Sequence, residues 1–176
     1  MIDYKKKIRT IPDYPAKGIM FRDVTTLMSD ADAFAAAIED LCKPFTNMNV
    51  TKVAGIDARG FILGGAMAVR LGAGFLPLRK PGKLPYKTLK ESYQLEYGSD
   101  ELHMHTDGVE PGEHVLLVDD LIATGGTAEA GVKLLRRGQA DIVSAVFLVD
   151  LPDLGGARRL RQIGIDVTSL ISFTGS

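Results

Sequence analysis

The sequence has one cysteine, almost no net charge and no long apolar run, and each of these excludes a class of protein. Cys42 has no second cysteine with which to form a disulfide in the chain, which predicts a reducing compartment. No segment approaches the roughly 18 apolar residues of a membrane span, and the charged start MIDYKKKIRT is not followed by the apolar core of a signal peptide. We therefore expect a cytoplasmic protein with no membrane partner.

Charge is balanced over the whole chain but segregated along it. The sequence has 21 Lys and Arg against 22 Asp and Glu, so no nucleic-acid partner is expected, because that binding needs an excess of basic residues. Residues 79–90 carry five basic side chains and no acidic one, whereas 91–132 carry ten acidic side chains and no Lys or Arg. With 176 residues, of which 45% are hydrophobic, the composition predicts a single domain spanning 1–176.

Short β-rich runs alternate with helical patterns along most of the chain. Strands are predicted at 50–56, 75–78, 115–118, 142–149 and 167–171, and helices at 30–43, 61–71, 127–137 and 157–163. This alternation predicts an α/β fold with a mostly parallel sheet and helices on both faces. Ligands of such folds bind beyond the carboxyl ends of the strands.

Two regions depart from this alternation. Residues 92–97 and 101–105 alternate polar and apolar side chains around Gly98-Ser99-Asp100, which predicts a β-hairpin with one exposed face. The first 29 residues are predicted to form an extension outside the sheet.

Two histidines of the predicted hairpin, His103 and His105, are two positions apart and so share one face of a strand. A metal-binding pair is one interpretation. We favour the other, in which they form the exposed face, because Leu102 and Met104 alternate with them.

The most informative segment begins at the apolar run 115–118 and continues through two acids and a small loop into a helix. Glycines let the backbone approach an anion, and amides at a helix N-terminus bind phosphate. Carboxylates at a strand end accept hydrogen bonds from sugar hydroxyls. The pattern predicts a phosphate site beside a ribose site. The acids are Asp119 and Asp120, and the loop, here called the phosphate loop, consists of Ala123, Thr124, Gly125, Gly126 and Thr127.

An ordinary turn capped by Thr127 is the alternative interpretation of this loop. The two preceding acids, and the threonines on both sides of the glycines, favour a functional site. No Walker loop and no G-x-G-x-x-G pattern occurs, so nucleoside triphosphate and dinucleotide sites lack their motifs.

The segment resembles the phosphoribosyl pyrophosphate (PRPP) motif of the type I phosphoribosyltransferases. Further stretches resemble the adenine phosphoribosyltransferases of that family: PAKGIMFRD at 15–23, GIDARGF at 55–61, RKPGKL at 79–84 and SYQLEYG at 92–98. The LEYG of the last stretch points to adenine. The resemblance implies a Rossmann-like type I fold with a hairpin flap and an N-terminal hood (1–29). It also implies purine salvage, in which ribose 5-phosphate passes from PRPP to adenine and gives AMP and pyrophosphate.

The resemblance assigns the PRPP site residue by residue. The phosphate loop would bind the 5′-phosphate, and Asp119 and Asp120 would face the ribose hydroxyls. Pyrophosphate would be bound by the turn at Ala58, where some relatives have Ser, and by Arg59, which would also act in catalysis. A surface residue that caps a helix is the alternative for Arg59.

The basic stretch 79–90 would be a lid over pyrophosphate, with Arg79 and Lys83 as binding residues. Taken alone, such a stretch is most often a solvated loop. Together with the hairpin it forms the predicted lid region, 79–106. Within that region, Glu96 would transfer a proton at the purine. Without the LEYG match, the sequence favours a solvent-facing strand residue for Glu96.

Adenine would lie under the N-terminal hood, beside Met20, Phe21 and Arg22, with Leu151 on its other face. Plain core packing is the alternative for Met20, Phe21 and Leu151. The resemblance also implies Mg²⁺, held mainly by PRPP with Asp119 as a candidate protein ligand, and a homodimer.

Two other functions are alternatives to adenine transfer. A transferase for another purine base would carry different base-recognition segments from GIMFRD and LEYG. A regulator that binds PRPP without transfer would need a DNA-binding module, for which the chain has no room, or an exposed basic face for RNA. The one basic block is better placed for PRPP.

Overall fold

A computed structural model describes residues 2–94 and 98–175 of the chain. In chain order its elements are α1 (Tyr4–Lys7), β1 (Arg9–Pro12), β2 (Met20–Asp23), α2 (Thr25–Met28), α3 (Ala31–Cys42), β3 (Lys52–Ile56), α4 (Arg59–Leu71), β4 (Gly74–Leu78), β5 (Thr88–Gln94), β6 (Ser99–His105), β7 (His114–Ile122), α5 (Gly126–Arg137), β8 (Asp141–Asp150), α6 (Gly156–Gln162) and β9 (Val167–Ser172). Short 3-10 helices occupy Lys43–Phe45 and Pro152–Leu154.

Five strands form a central parallel sheet in the order β4-β3-β7-β8-β9. Successive side chains of a strand point to opposite faces, and β7 shows this clearly. Leu116 and Val118 pack with α3 and α4, whereas Val115 and Leu117 pack with α5 and α6. The predicted parallel sheet with helices on both faces is confirmed.

The four predicted helices lie within two residues of their expected bounds. Asp30 caps α3, because its Oδ1 accepts a hydrogen bond from the amide of Ala33 at 3.0 Å. Helix α4 ends at Gly72, whose φ of 67° lies in the left-handed region that glycine adopts without a steric penalty. No helix in the described part of the chain is long and apolar enough to span a membrane.

Strand β7 is longer than its apolar run predicted. It continues to Ile122, so Asp119 and Asp120 belong to the strand and do not follow it. Pairing with β8 persists to the register Ile122–Asp150, which keeps both acids in the ladder. The apolar run 115–118 corresponds to the part of β7 that helices cover on both faces of the sheet. The backbone pairing of β7 with β8 continues beyond that run.

The hairpin is present as the separate pair β5–β6, and Leu102 and Met104 lie on its buried face as predicted. Strand β5 begins at Thr88, inside the basic stretch, and Ser99 and Asp100 belong to β6 and not to the turn. The predicted end of the first strand, 95–97, lies outside the described residues.

The predicted exposed face of the hairpin is wrong at the two histidines. Both are only half-exposed, and the Nε2 of His105 is buried. Residues of the basic stretch account for this: Arg79 and His103 exchange backbone hydrogen bonds at 2.9 and 2.7 Å along the free edge of β6, and the ring of Tyr86 packs edge-on against that of His105. His103 Nε2 lies 2.9 Å from Glu101 Oε2.

The N-terminal hood is built around Asp23, outside the central sheet. Strands β1 and β2 pair antiparallel, and the guanidinium of Arg9 donates two hydrogen bonds across them to Asp23 Oδ2. The backbone amide and the hydroxyl of Thr25 donate to Asp23 Oδ1 at 3.0 and 2.5 Å. These bonds lower the pKa of Asp23 from 3.8 to about 2, and the hydrogen bond from the Thr25 hydroxyl has the largest effect.

We predict that Asp23→Asn lowers the free energy of unfolding at pH 7 by about 1–2 kcal/mol, since solvent screens the ion pair of Asp23 with the exposed Arg9. Because the pKa of Asp23 is depressed, its contribution is complete above pH 3.8 and is lost as the pH falls towards 2. Urea unfolding across this range should therefore show the difference from the parent shrinking. The exposed Asp107→Asn is the control, and a difference that stays constant down to pH 2 would contradict the account.

Candidate active site

Predicted site residues from four parts of the chain meet at the carboxyl ends of the central strands. Arg59 opens α4 just after β3, and Asp119 and Asp120 lie near the carboxyl end of β7. Leu151 follows β8 directly. The hood strand β2 lies against the same edge, since Met20 and Leu151 line one cavity. Parallel strands place their ends together, which is why residues distant in sequence converge here.

The phosphate loop joins β7 to α5 and lines a cavity of about 120 Å³. Gly125 has a φ of 83°, which a side chain would disfavour. Gly126 is the first residue of α5, so the loop presents backbone amides at the N-terminus of a twelve-residue helix. Asp119 borders the same cavity. The loop is therefore equipped for an anion without any charged residue of its own.

Helix α6 packs directly on the phosphate loop. The amide of Gly156 donates to the carbonyl of Ala123 at 2.9 Å. A Cβ at Gly156 would lie 2.4 Å from that oxygen and 2.8 Å from the nitrogen of Gly125, so only glycine permits this approach. Sequence reasoning missed this contact. The pair Gly155-Gly156 before a helix, a second instance of the Gly125-Gly126 pattern, was the signal for it.

The two acids of β7 have different surroundings. Asp120 is 6% exposed and forms an ion pair with Arg59. Asp119 accepts a hydrogen bond from the amide of Asp120 at 2.8 Å. Burial raises the pKa of Asp119 well above its ordinary value, and the neighbouring charge of Asp120 raises it further. Only one of the two carboxylates is therefore charge-compensated by a side chain.

The hood covers a second cavity, of about 330 Å³. All four residues predicted to bind adenine line it, together with others that the prediction did not include. The four are Met20, Phe21, Arg22 and Leu151, and the additions include Ile19, Leu121 and Leu154. The ring of Phe21 packs edge-on against Tyr14 at 5.1 Å between centroids. An apolar slot with polar groups at its rim suits a flat heterocycle.

Arg22 ties the hood to the end of the chain. Its Nη1 donates to Thr10 Oγ1 at 2.6 Å, and its guanidinium lies over the ring of Phe173 at 4.3 Å. Its Nε is buried and has no hydrogen-bond partner among the described residues. Arg22 is therefore fixed at the cavity wall with one donor unused.

The turn predicted for pyrophosphate lies between β3 and α4. The peptide bond from Asp57 to Ala58 is cis. Arg79 reaches this turn, since its Nε donates to Asp57 Oδ2 at 3.0 Å. Lys83 does not, because it is exposed in the segment between β4 and β5 and lines neither cavity. Lys80 instead holds that segment to the hairpin through Tyr93 and Asp100.

Glu96, predicted to transfer a proton at the purine, lies outside the described residues, and its role stays a prediction. Strand β5 ends at Gln94, which lines a cavity of about 650 Å³ with Met20, Thr124 and Arg159. Gln94 and Arg159 were not predicted. Among the described residues, no three His, Cys, Asp or Glu side chains converge as metal ligands.

Comparisons with known proteins agree with this geometry. The sequence-family model of the phosphoribosyl transferase domain matches residues 25–170 of this chain. The chain is 61% identical over 174 residues to an adenine phosphoribosyltransferase of Bradyrhizobium sp. (strain ORS 278), covering 99% of this chain and 97% of that one. The corresponding protein of Mesorhizobium japonicum is 62% identical over 168 residues, covering 96% and 93%.

Solved structures extend the similarity to the fold. The adenine phosphoribosyltransferase of Rhodothermus marinus matches with a TM-score of 0.90 at 49% identity, covering 97% of this chain and 96% of that one. That of Saccharomyces cerevisiae, complexed with an imino-altritol bisphosphate and adenine, matches with a TM-score of 0.88 at 32% identity, covering 99% and 97%. With nearly the whole length matched in sequence and in fold, the chain belongs to the phosphoribosyltransferase family, among its adenine phosphoribosyltransferases.

Proposed function

We propose that the two cavities hold the two ends of one nucleotide, with the 5′-phosphate in the phosphate loop and adenine under the hood. One observation carries this proposal: the cavities share Asp119, Leu121 and Ala123. A ribose that joins phosphate to base would therefore pass beside the carboxylate of Asp119. The chain transfers ribose 5-phosphate from PRPP to adenine and produces AMP and pyrophosphate, a reaction of purine salvage.

The phosphate loop itself binds the phosphate end through neutral groups. The loop offers backbone amides at the start of α5 and the hydroxyls of Thr124 and Thr127, and the helix dipole favours the anion. Asp119 and Asp120 accept hydrogen bonds from the ribose hydroxyls. Because Asp120 is paired with Arg59, ribose binding and the position of Arg59 are linked.

The transfer exchanges one bond for another at the anomeric carbon of the ribose. The bond to the pyrophosphate oxygen breaks, and a bond to N9 of adenine forms, through an oxocarbenium-like state. Pyrophosphate leaves with the bonding electron pair, and adenine loses a proton, for which Glu96 is the proposed acceptor. Arg59, Arg79 and the backbone at Ala58 stabilise the departing charge. Lys83 would contribute only after the exposed segment closes over the site.

Mg²⁺ is proposed as the cofactor. It prefers oxygen ligands and keeps several that the protein does not supply. Asp119 fits as a protein ligand, since it presents a carboxylate at the border of both cavities. When bound, the ion would neutralise charge on the pyrophosphate.

The base is selected by the hood. An adenine ring would contact Phe21 on one side and Leu151 on the other, while backbone groups at Met20 read its edge. These side chains surround an apolar slot, which favours the ring over water and limits hydrolysis of PRPP.

A steady-state assay with PRPP, Mg²⁺ and each purine base in turn tests the proposed function. We predict pyrophosphate release with adenine, and at least tenfold slower release with hypoxanthine, guanine or xanthine, a difference of about 1.4 kcal/mol in transition-state binding. Binding of PRPP without any turnover would support a regulator, and faster turnover with another base would reassign the substrate.

We predict that Asp120→Asn lowers kcat/KM for PRPP at least tenfold, about 1.4 kcal/mol, because the variant replaces one acceptor oxygen by an amide donor and removes the charge that pairs with Arg59. Asp141→Asn is the matched control, since Asp141 is exposed at the start of β8, at the other end of the sheet. Thermal unfolding of both variants separates loss of chemistry from loss of fold. Equal activity in the two variants would show that the ribose site is misplaced.

A homodimer is proposed on the exposed face of α4 and the edge strand β4. Val69 is 84% exposed, and Ile62, seven residues earlier on the same helical face, and Phe75 on β4 are also exposed. We predict a dimer in sedimentation equilibrium and a shift towards monomer in Val69→Asp. A monomeric parent at micromolar concentration would contradict this proposal.

A further inference from the structure

The phosphate loop lacks a positive charge. Its five residues are Ala, Thr, Gly, Gly and Thr, whereas a phosphate monoester carries nearly two negative charges at neutral pH. Arg59 and Arg79 lie at the turn proposed for pyrophosphate, where Arg79 contacts Asp57. Amides and hydroxyls bind an anion, but a guanidinium adds charge-assisted hydrogen bonds of about twice the strength.

Arg159 is placed to supply that charge. The backbone contact of Gly156 with Ala123 fixes α6 on the loop, and Arg159 follows one turn later. Its Nη1 lies 3.9 Å from the position that a Cβ on Gly126 would occupy. Arg159 also lines the 650 Å³ cavity together with Thr124 of the loop.

Glu129 holds the guanidinium in this position. Arg159 donates to Glu129 through Nε, which leaves its two Nη groups for another acceptor. Glu129 lies in the first turn of α5 and also pairs with Lys133 at 3.0 Å. With Glu91 and Arg137, the cluster combines three cations with two carboxylates, and Arg159 shares its carboxylate partner Glu129 with Lys133.

We propose that Arg159 is a further substrate-binding residue, which donates from its Nη groups to the 5′-phosphate at the phosphate loop, and that Glu129 positions it. The inference rests on the proposed placement of the nucleotide across the two cavities. It assigns the recognition of a phosphorylated ribose, as opposed to a free nucleoside, partly to α6.

The test compares binding of AMP with binding of adenosine by calorimetry, because these ligands differ only in the phosphate. In the parent, AMP should bind more tightly than adenosine. Arg159→Ala should weaken AMP binding ~10-fold and leave adenosine binding unchanged, with Arg159→Lys between the two. In turnover, KM for PRPP should rise while KM for adenine stays within twofold.

Arg158→Ala is the matched control, since it removes the same charge from the neighbouring exposed position of α6. It should leave both affinities unchanged. If both variants weaken AMP binding equally, or if Arg159→Ala weakens adenosine as much as AMP, the inference is wrong. A parent that binds AMP no more tightly than adenosine would overturn the proposed function itself, whereas an unchanged preference in Arg159→Ala overturns the role of Arg159 alone.

Discussion

The site depends on backbone pairing that continues beyond the ends of β7 and β8. The amide of Leu151 donates to Ile122 at 3.0 Å, and the amide of Gly156 donates to Ala123 at 2.9 Å. These two bonds fix three parts of the chain to each other: the phosphate loop, the wall of the hood cavity at Leu151, and α6 with Arg159. Because backbone groups make the contacts, their geometry depends on glycine at 156 rather than on any reactive side chain.

Ion pairs also hold the site together. Three cations of the site and the basic stretch are paired with carboxylates: Arg59 with Asp120, Arg79 with Asp57, and Lys80 with Asp100. A polyanionic substrate would compete for the first two of these partners, and in doing so would connect the ribose site to the pyrophosphate site. The net charge of −1 conceals this arrangement, since the basic stretch and the acidic strand ends cancel in the sum.

Much of the fold and part of the site could be predicted from the sequence. Local patterns were sufficient for the central strands, for α3 with its cap at Asp30, and for the phosphate loop, because each is encoded by adjacent residues. The full length of β7, the cover over His105 and the role of Gly156 depend on contacts between distant segments, which periodicity does not encode. The assignments of Ala58, Met20 and Leu151 came from resemblance, and their roles stay predictions, as does that of Glu96.

The central claim is that one nucleotide spans the phosphate loop and the hood, with its ribose beside Asp119. A crystal structure of the chain grown with AMP tests it most directly. We predict the phosphate at the amides of residues 123–127, the ribose hydroxyls within hydrogen-bond distance of Asp119 or Asp120, and the base between Phe21 and Leu151. A phosphate bound away from the loop, or a base outside the hood cavity, would contradict the account.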